Sequence, residues 1–302
     1  MRARVAKLAA GALLLLAGGS CRDLLAGVAQ GERLDRGALV QSFAEEFDRK
    51  PDLWDAAHPA GRWKTNYYHS VQDTNAPEGW QSRTLAPNGE AQYYGDPKAG
   101  MDPFEWSGGV LTIVGKPNPF RADPRTHGLP YLSGLITTEK SFSQRYGYFE
   151  ARMALPMGKG IWPAFWLLPQ PQMVNGWAQA SGQQEVDIVE SIGEGDKLYF
   201  TSFADDGGRK VADEVGRNFY TSADLTQFHT YGVMVTPQKL VWFFDGQNVR
   251  ERPNVDFHRP AYMLLNLAMG GNWPGMPDAS TPFPARLRID WVRAYQFKSN
   301  GS

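Results

Sequence analysis

Glu185-Val186-Asp187-Ile188-Val189-Glu190 places three carboxylates in six residues, separated only by β-forming aliphatic side chains. On a helix, at about 100° per residue, Glu185 and Glu190 would stand about 140° apart and the three acids could not converge. On a strand the side-chain period is two, so Glu185 and Asp187 share a face while Glu190 points to the other. One extra residue at Ile188-Val189 returns Glu190 to the first face, so the spacing predicts a β-bulge there. Three acids on one face repel one another, and burial would raise their pKa values. Two uses justify such a face. One is paired-carboxyl chemistry, such as retaining cleavage of a glycoside with two carboxyls about 5–5.5 Å apart. The other is calcium binding. A solvated acidic strand is the third reading, and spacing alone leaves all three open.

Outward from this segment the chain reads as strands. Thr230–Thr236 and Leu240–Phe244 are rich in Val and aromatics and are joined by Pro237-Gln238-Lys239. Asp245-Gly246 is a two-residue hairpin signal leading into a strand that runs to about Glu251. In Tyr146–Leu155, Phe149, Ala151, Met153 and Leu155 alternate with Tyr148, Glu150 and Arg152. In Arg286–Tyr295, Leu287, Ile289 and Trp291 oppose Arg286, Arg288 and Asp290. Tyr262–Ala268 is an almost unbroken apolar run, as for a strand buried on both faces. The best helical window is Asp35–Phe47. Many short strands with regular turns imply an all-β sandwich. No repeat, charge block or linker follows residue 40, so residues 41–298 read as one domain, with 299–302 as a tail.

Composition agrees. The chain has 302 residues, with 31 Lys+Arg against 32 Asp+Glu and a net charge of −1, so nothing in its charge selects nucleic acid as a partner. Aromatics make up 13%, which suits both strands and stacking against flat apolar ligand faces. The single cysteine, Cys21, excludes a disulfide framework and a multi-cysteine zinc site. Arg2, Arg4 and Lys7 precede an apolar run from Leu8 to Ala17, the pattern of an export signal and too short to span a bilayer. Cys21 directly follows Gly18, Gly19 and Ser20, which resembles a bacterial lipobox, although Gly18 stands where that pattern prefers Leu. Lipidation at Cys21 is therefore expected, with 1–20 as signal peptide and 21–40 as an N-terminal linker. Cleavage at Gly27-Val28-Ala29 is the alternative, giving a secreted soluble protein.

Several stretches around the acid strand are similar to glycoside hydrolase family 16, in its laminarinase-like branch. They are the bulged acid strand itself, Asn88–Tyr94, Tyr146–Met153, Gly160–Pro169, Phe228–Tyr231, Trp242–Gly246, Asn266–Gly275 and Ile289–Tyr295, covering about 41–297 in order. The resemblance implies a jelly-roll (concanavalin A-like) sandwich with a concave sugar cleft. It also implies Glu185 as nucleophile, Glu190 as general acid/base, and Asp187 between them, hydrogen-bonded to the nucleophile. The expected activity is endo-hydrolysis of β-1,3 or β-1,3/1,4 bonds in a glucan or bacterial exopolysaccharide. A transglycosylase and a non-catalytic glycan-binding sandwich are the alternatives. The polysaccharide is the expected partner, with the membrane reached only through the lipid and the protein a monomer. No cofactor is expected for catalysis.

Candidate cleft residues follow from alternation and loop position. Trp162 and Trp166 fall on one face of their strand, Trp273 follows a buried strand, and Trp177 lies in the loop feeding the acids. Asn88, Glu90 and Gln92 alternate onto one face as candidates for sugar hydroxyls, Glu90 alternatively being structural. His229 reads as packing or substrate contact. Two positions depart from the family: Leu198–Phe203 carries no His, and Ser133–Ile136 no Arg. Family members often hold a structural calcium, for which Glu46 and Asp290 are the candidate ligands, an ion pair to arginine being the alternative.

Overall fold

The computed structural model describes residues 32–67, 77–174, 177–179 and 184–298, with backbone alone at 77–78, 172–174 and 177–179. The described strands form two large sheets facing each other in a jelly-roll sandwich. The ten-stranded sheet runs in the order Gln247–Pro253, Lys239–Phe244, His229–Val235, Gly147–Ala154, Ala285–Phe297, Val110–Pro117, Tyr131–Ser133, Gln92–Tyr94. Leu39–Glu45 pairs with Ala285–Phe297, and Phe104–Ser107 with Val110–Pro117. The seven-stranded sheet runs Arg209–Ala212, Lys197–Asp206, Glu185–Glu190, Ile161–Pro169, Ala261–Met269, Leu135–Thr137, with Asn218–Tyr220 beside Lys197–Asp206.

The core between the sheets follows from alternation. Val186, Phe165, Leu167, Met263, Leu265 and Leu267 from one sheet meet Phe149, Ala151, Met153, Val233, Leu287 and Ile289 from the other, all buried. Burying one such side chain stabilises the fold by roughly 1.5–3 kcal/mol. Ala261–Met269 is buried along its whole length. Its second face carries Tyr262 and Leu264, which form a smaller cluster with Tyr67, Tyr94, Leu135 and Trp166. That second layer explains why the run lacks alternation.

Three expectations change. Asp35–Phe47 is not a helix: Asp35 caps a single 3-10 turn, Arg36–Ala38, and Leu39–Glu45 continues as a strand. Tertiary pairing overrides propensity, because the Ala285–Phe297 strand takes Leu39–Glu45 as an antiparallel partner. Trp291 does not share the core face of Leu287 and Ile289. The register shifts between Ile289 and Trp291, so Val292 and Ala294 enter the core instead. On the face opposite Phe149, Glu150 is fully buried, paired with Arg36. The packed body also reaches ahead of residue 41: Leu34 donates its N–H to the Gly246 carbonyl, and Leu39 is buried.

Candidate active site

The bulge stands where the spacing requires it. Against the Ile161–Pro169 strand, Asp187 pairs with Trp166 and Val189 with Phe165, so Ile188 is the extra residue. On the other side Asp187 opposes Thr201 and Glu190 opposes Tyr199. Ile188 and Val189 both enter the core, which leaves Glu185, Asp187 and Glu190 together on the outward face of the seven-stranded sheet. The Trp242 indole, reaching across the core from the other sheet, donates to the Asp187 carbonyl at 2.7 Å. A bulge interrupts a ladder, and this bond satisfies a carbonyl beside it.

The three acids have different surroundings. The Glu190 carboxylate accepts the Trp162 indole N–H at 2.9 Å. Burial, reinforced by the charge of Glu185, pushes its pKa up to about 7, although the Trp162 bond and the charges of Lys210 and Arg217 pull the other way. Asp187 is raised well above the ordinary aspartate value by burial, then by Glu190 and Glu185. Its Oδ2 has no hydrogen-bond partner among the described residues. Glu185 accepts a hydrogen bond from Lys210 Nζ at 2.8 Å. Neighbouring carboxyls resist ionising together, and burial weighs against the charge of Asp187, the one buried residue of the three.

An aromatic wall stands beside Glu190. Trp162 and Trp273 meet edge to face with ring centroids 5.4 Å apart, and Tyr199 meets Trp273 in the same manner at 4.5 Å. The loop carrying Trp273 approaches closely because Gly271 sits at φ 140°, where an added Cβ would lie 3.2 Å from the Trp162 ring. Asn272 N–H then donates to the Asn88 carbonyl at 2.7 Å, tying two loops together.

The remaining expected site residues lie as follows. Trp166 is buried under Tyr67 and donates to Asn266, which donates to the Tyr94 hydroxyl. It is therefore part of the packing below the face, not a wall. Glu90 is buried and accepts from Leu85 N–H, Asn88, Gln92 and the Tyr94 hydroxyl. Burial raises its pKa to about 7 against those four donors. Asn88 and Glu90 thus form a bracket that shapes the loop, the structural alternative for Glu90. Trp177 lies in the short strand Trp177–Gln179, and its side chain is outside the described residues. Cys21 is also outside them. His229 is a packing residue on the other sheet: it stacks on Phe244 and bonds Asp245 through Nδ1.

Glu46 and Asp290 do not fit a shared cation. Both Glu46 oxygens accept from Arg293, and Asp290 pairs with Arg152. Among the described residues no three His, Cys, Asp or Glu side chains are grouped to hold a metal. Sequence reasoning passed over Lys210, Tyr199, Arg217 and Trp242. Tyr199 could have been found, since it sits in the strand following the acids where a cleft residue was sought.

A two-sheet sandwich with a carboxylate triad and an aromatic wall on the outer face of one sheet defines a carbohydrate-active jelly roll. The family model described as "Glycosyl hydrolases family 16" matches residues 117–293, and the chain belongs to that family. It is 36% identical over 273 residues to the endo-1,3-1,4-beta-glycanase ExsH of Rhizobium meliloti, covering 88% of this chain and 54% of that protein. The chain thus spans about half the length of that relative. It is 32% identical to the beta-glucanase of Rhodothermus marinus, covering 70% of this chain and 75% of the relative. The solved endo-beta-1,3-glucanase of Pyrococcus furiosus superposes with a TM-score of 0.68 and 28% identity, covering 87% of this chain and 96% of that one.

Proposed function

We propose that the protein is a retaining endo-β-glycanase that cleaves internal β-1,3 or β-1,3/1,4-glucosidic bonds of a glucan or bacterial exopolysaccharide by double displacement. One observation carries the reading. Two glutamates on the same strand face sit in opposite settings, Glu185 against an ammonium and Glu190 in a desolvated site that raises its pKa to about 7. Glycoside cleavage needs that division, one carboxylate to attack and one carboxyl to give a proton.

In the first step Glu185 attacks the anomeric carbon. The exocyclic C–O bond breaks, and the leaving oxygen takes the Glu190 proton. In the second step Glu190 accepts a proton from water, which attacks the same carbon and releases Glu185. Asp187 lies between the two glutamates on the same face, placed to hydrogen-bond the nucleophile Glu185. Sugar rings present C–H faces, for which Trp162 and Trp273 are flat partners. The relatives' names, glycanases of mixed or β-1,3-linked glucans, support that substrate class. Export with lipidation at Cys21 completes the reading, placing a monomeric enzyme at the periplasmic or cell surface. Among the described residues no helix is long and apolar enough to cross a membrane.

Reducing-end release from laminarin, lichenan, agarose, carrageenan and native exopolysaccharides tests the activity. Release from a β-glucan with the β-anomer formed first, by NMR, is the expected result, and Glu185→Gln should lose it by about a thousandfold or more. Near-full activity in that variant would refute the assignment.

A further inference from the structure

A lysine rests against the carboxylate proposed to attack. Lys210 lies on the Arg209–Ala212 strand, which hairpins back along Lys197–Asp206. Its Nζ donates to Glu185 Oε1 at 2.8 Å and stands 4.0 Å from the centroid of the Phe203 ring. Phe203 is also the register partner of Glu185 across the neighbouring ladder, which brings the lysine it carries on its ring beside that glutamate. The Glu185 side chain is 16% exposed and that of Lys210 is 37% exposed. Burial lowers the affinity of Lys210 for its proton, but Glu185, Asp187 and Glu190 all face it and together raise its pKa. It therefore stays a cation throughout the range in which the acids work.

Building on the glycanase reading above, we infer that Lys210 is a positioning residue for Glu185, holding its attacking oxygen and favouring its departure from the glycosyl-enzyme. The two chemical steps use this contact with opposite sign. When Glu185 bonds to the anomeric carbon, its negative charge disappears into a neutral ester and the ion pair with Lys210 is lost. When water attacks that carbon, its proton passes to Glu190. The carbon–Glu185 bond then breaks with its electron pair returning to Glu185, and the carboxylate reforms beside the ammonium. Lys210 thus opposes glycosylation slightly and assists deglycosylation. A residue that merely supported the fold would not divide the two steps.

The test is steady-state and rapid-mixing kinetics with 2,4-dinitrophenyl β-laminaribioside, whose good leaving group makes deglycosylation slow relative to glycosylation. Lys210→Met is expected to lower kcat about tenfold while kcat/KM stays within about threefold of the wild type. A dinitrophenolate burst should match the enzyme concentration, azide should restore much of kcat as an external nucleophile, and Lys210→Arg should recover the wild-type pattern. Thermal melting of each variant establishes that it is folded. Unchanged kinetics in Lys210→Met, or equal losses of kcat and kcat/KM without a burst, would overturn the inference while leaving the glycanase reading intact. No turnover of laminarin, lichenan, native exopolysaccharides or the aryl glycoside by the wild type would overturn both.

Discussion

Buried carboxylates occupy two faces of this sandwich, and the protein treats them differently. Glu150, on the outer face of the ten-stranded sheet, is fully buried, and both its oxygens accept from Arg36 at 2.8 and 2.7 Å. That guanidinium also lies over the rings of Tyr148 and Tyr295, and the paired carboxylate pushes the pKa of Arg36 further up. On the outward face of the seven-stranded sheet three acids share the charge of one lysine, and two of them have raised pKa values. Charge at the first face is matched with bidentate geometry, which suits stability. At the second it is left under-compensated, which holds a proton ready for transfer at the expense of stability.

The largest effect that would sharpen this contrast is in Glu190→Gln. Loss of the proposed general acid should lower kcat on a β-glucan by about a thousandfold. Stability should move the other way. The folded state holds the Glu190 proton more tightly than the unfolded chain, with the pKa raised from 4.5 to about 7. Native stability is therefore undiminished by this group below about pH 4.5 and is lost as pH rises through about 7. The variant should be more stable than the wild type by about 2 kcal/mol near pH 8 and no different near pH 4, measured by urea denaturation. Equal stability at both would show that Glu190 is not desolvated as described.

Next in size is Arg36→Ala. It strands a fully buried carboxylate, and removing one partner of a buried pair costs about 3 kcal/mol, at the low end because Arg36 is half in water. Urea unfolding should show that loss while kcat per folded molecule stays unchanged. A variant that kept its stability and lost activity would erase the distinction between the two faces.

The smallest effect is in Trp162→Phe. The indole N–H stabilises the ionised form of Glu190, so its removal raises the carboxyl's pKa further. The alkaline limb of kcat/KM, set near pH 7 by Glu190, should move upward by up to about one unit. A downward shift would place the Trp162 bond on the protonated form instead.

Much of the site was legible because its decisive residues are local. A two-residue period and six consecutive positions were enough to demand a bulge, and Ile188 and Val189 supply it with two core side chains. Trp162 was legible from alternation, yet alternation placed Trp166 beside it. The difference between them came from Tyr67 and Asn266, which cover and bind Trp166 from distant segments. The Asp35–Phe47 window failed for a similar reason, since an open ladder on Ala285–Phe297 outweighed weak helical propensity.

By itself the sequence determined that Glu185 and Asp187 share a strand face and that Glu190 joins them only through a bulge, since side-chain direction along a strand is set by backbone geometry within a few residues. It also carried the family, through motifs in order along the chain. Only the tertiary structure decided the state of each acid. Lys210 reaches Glu185 from 25 residues away, Trp242 reaches the bulge from 55, and Arg36 reaches Glu150 from 114. Desolvation and charge pairing depend on such distant neighbours, and no local spacing encodes them.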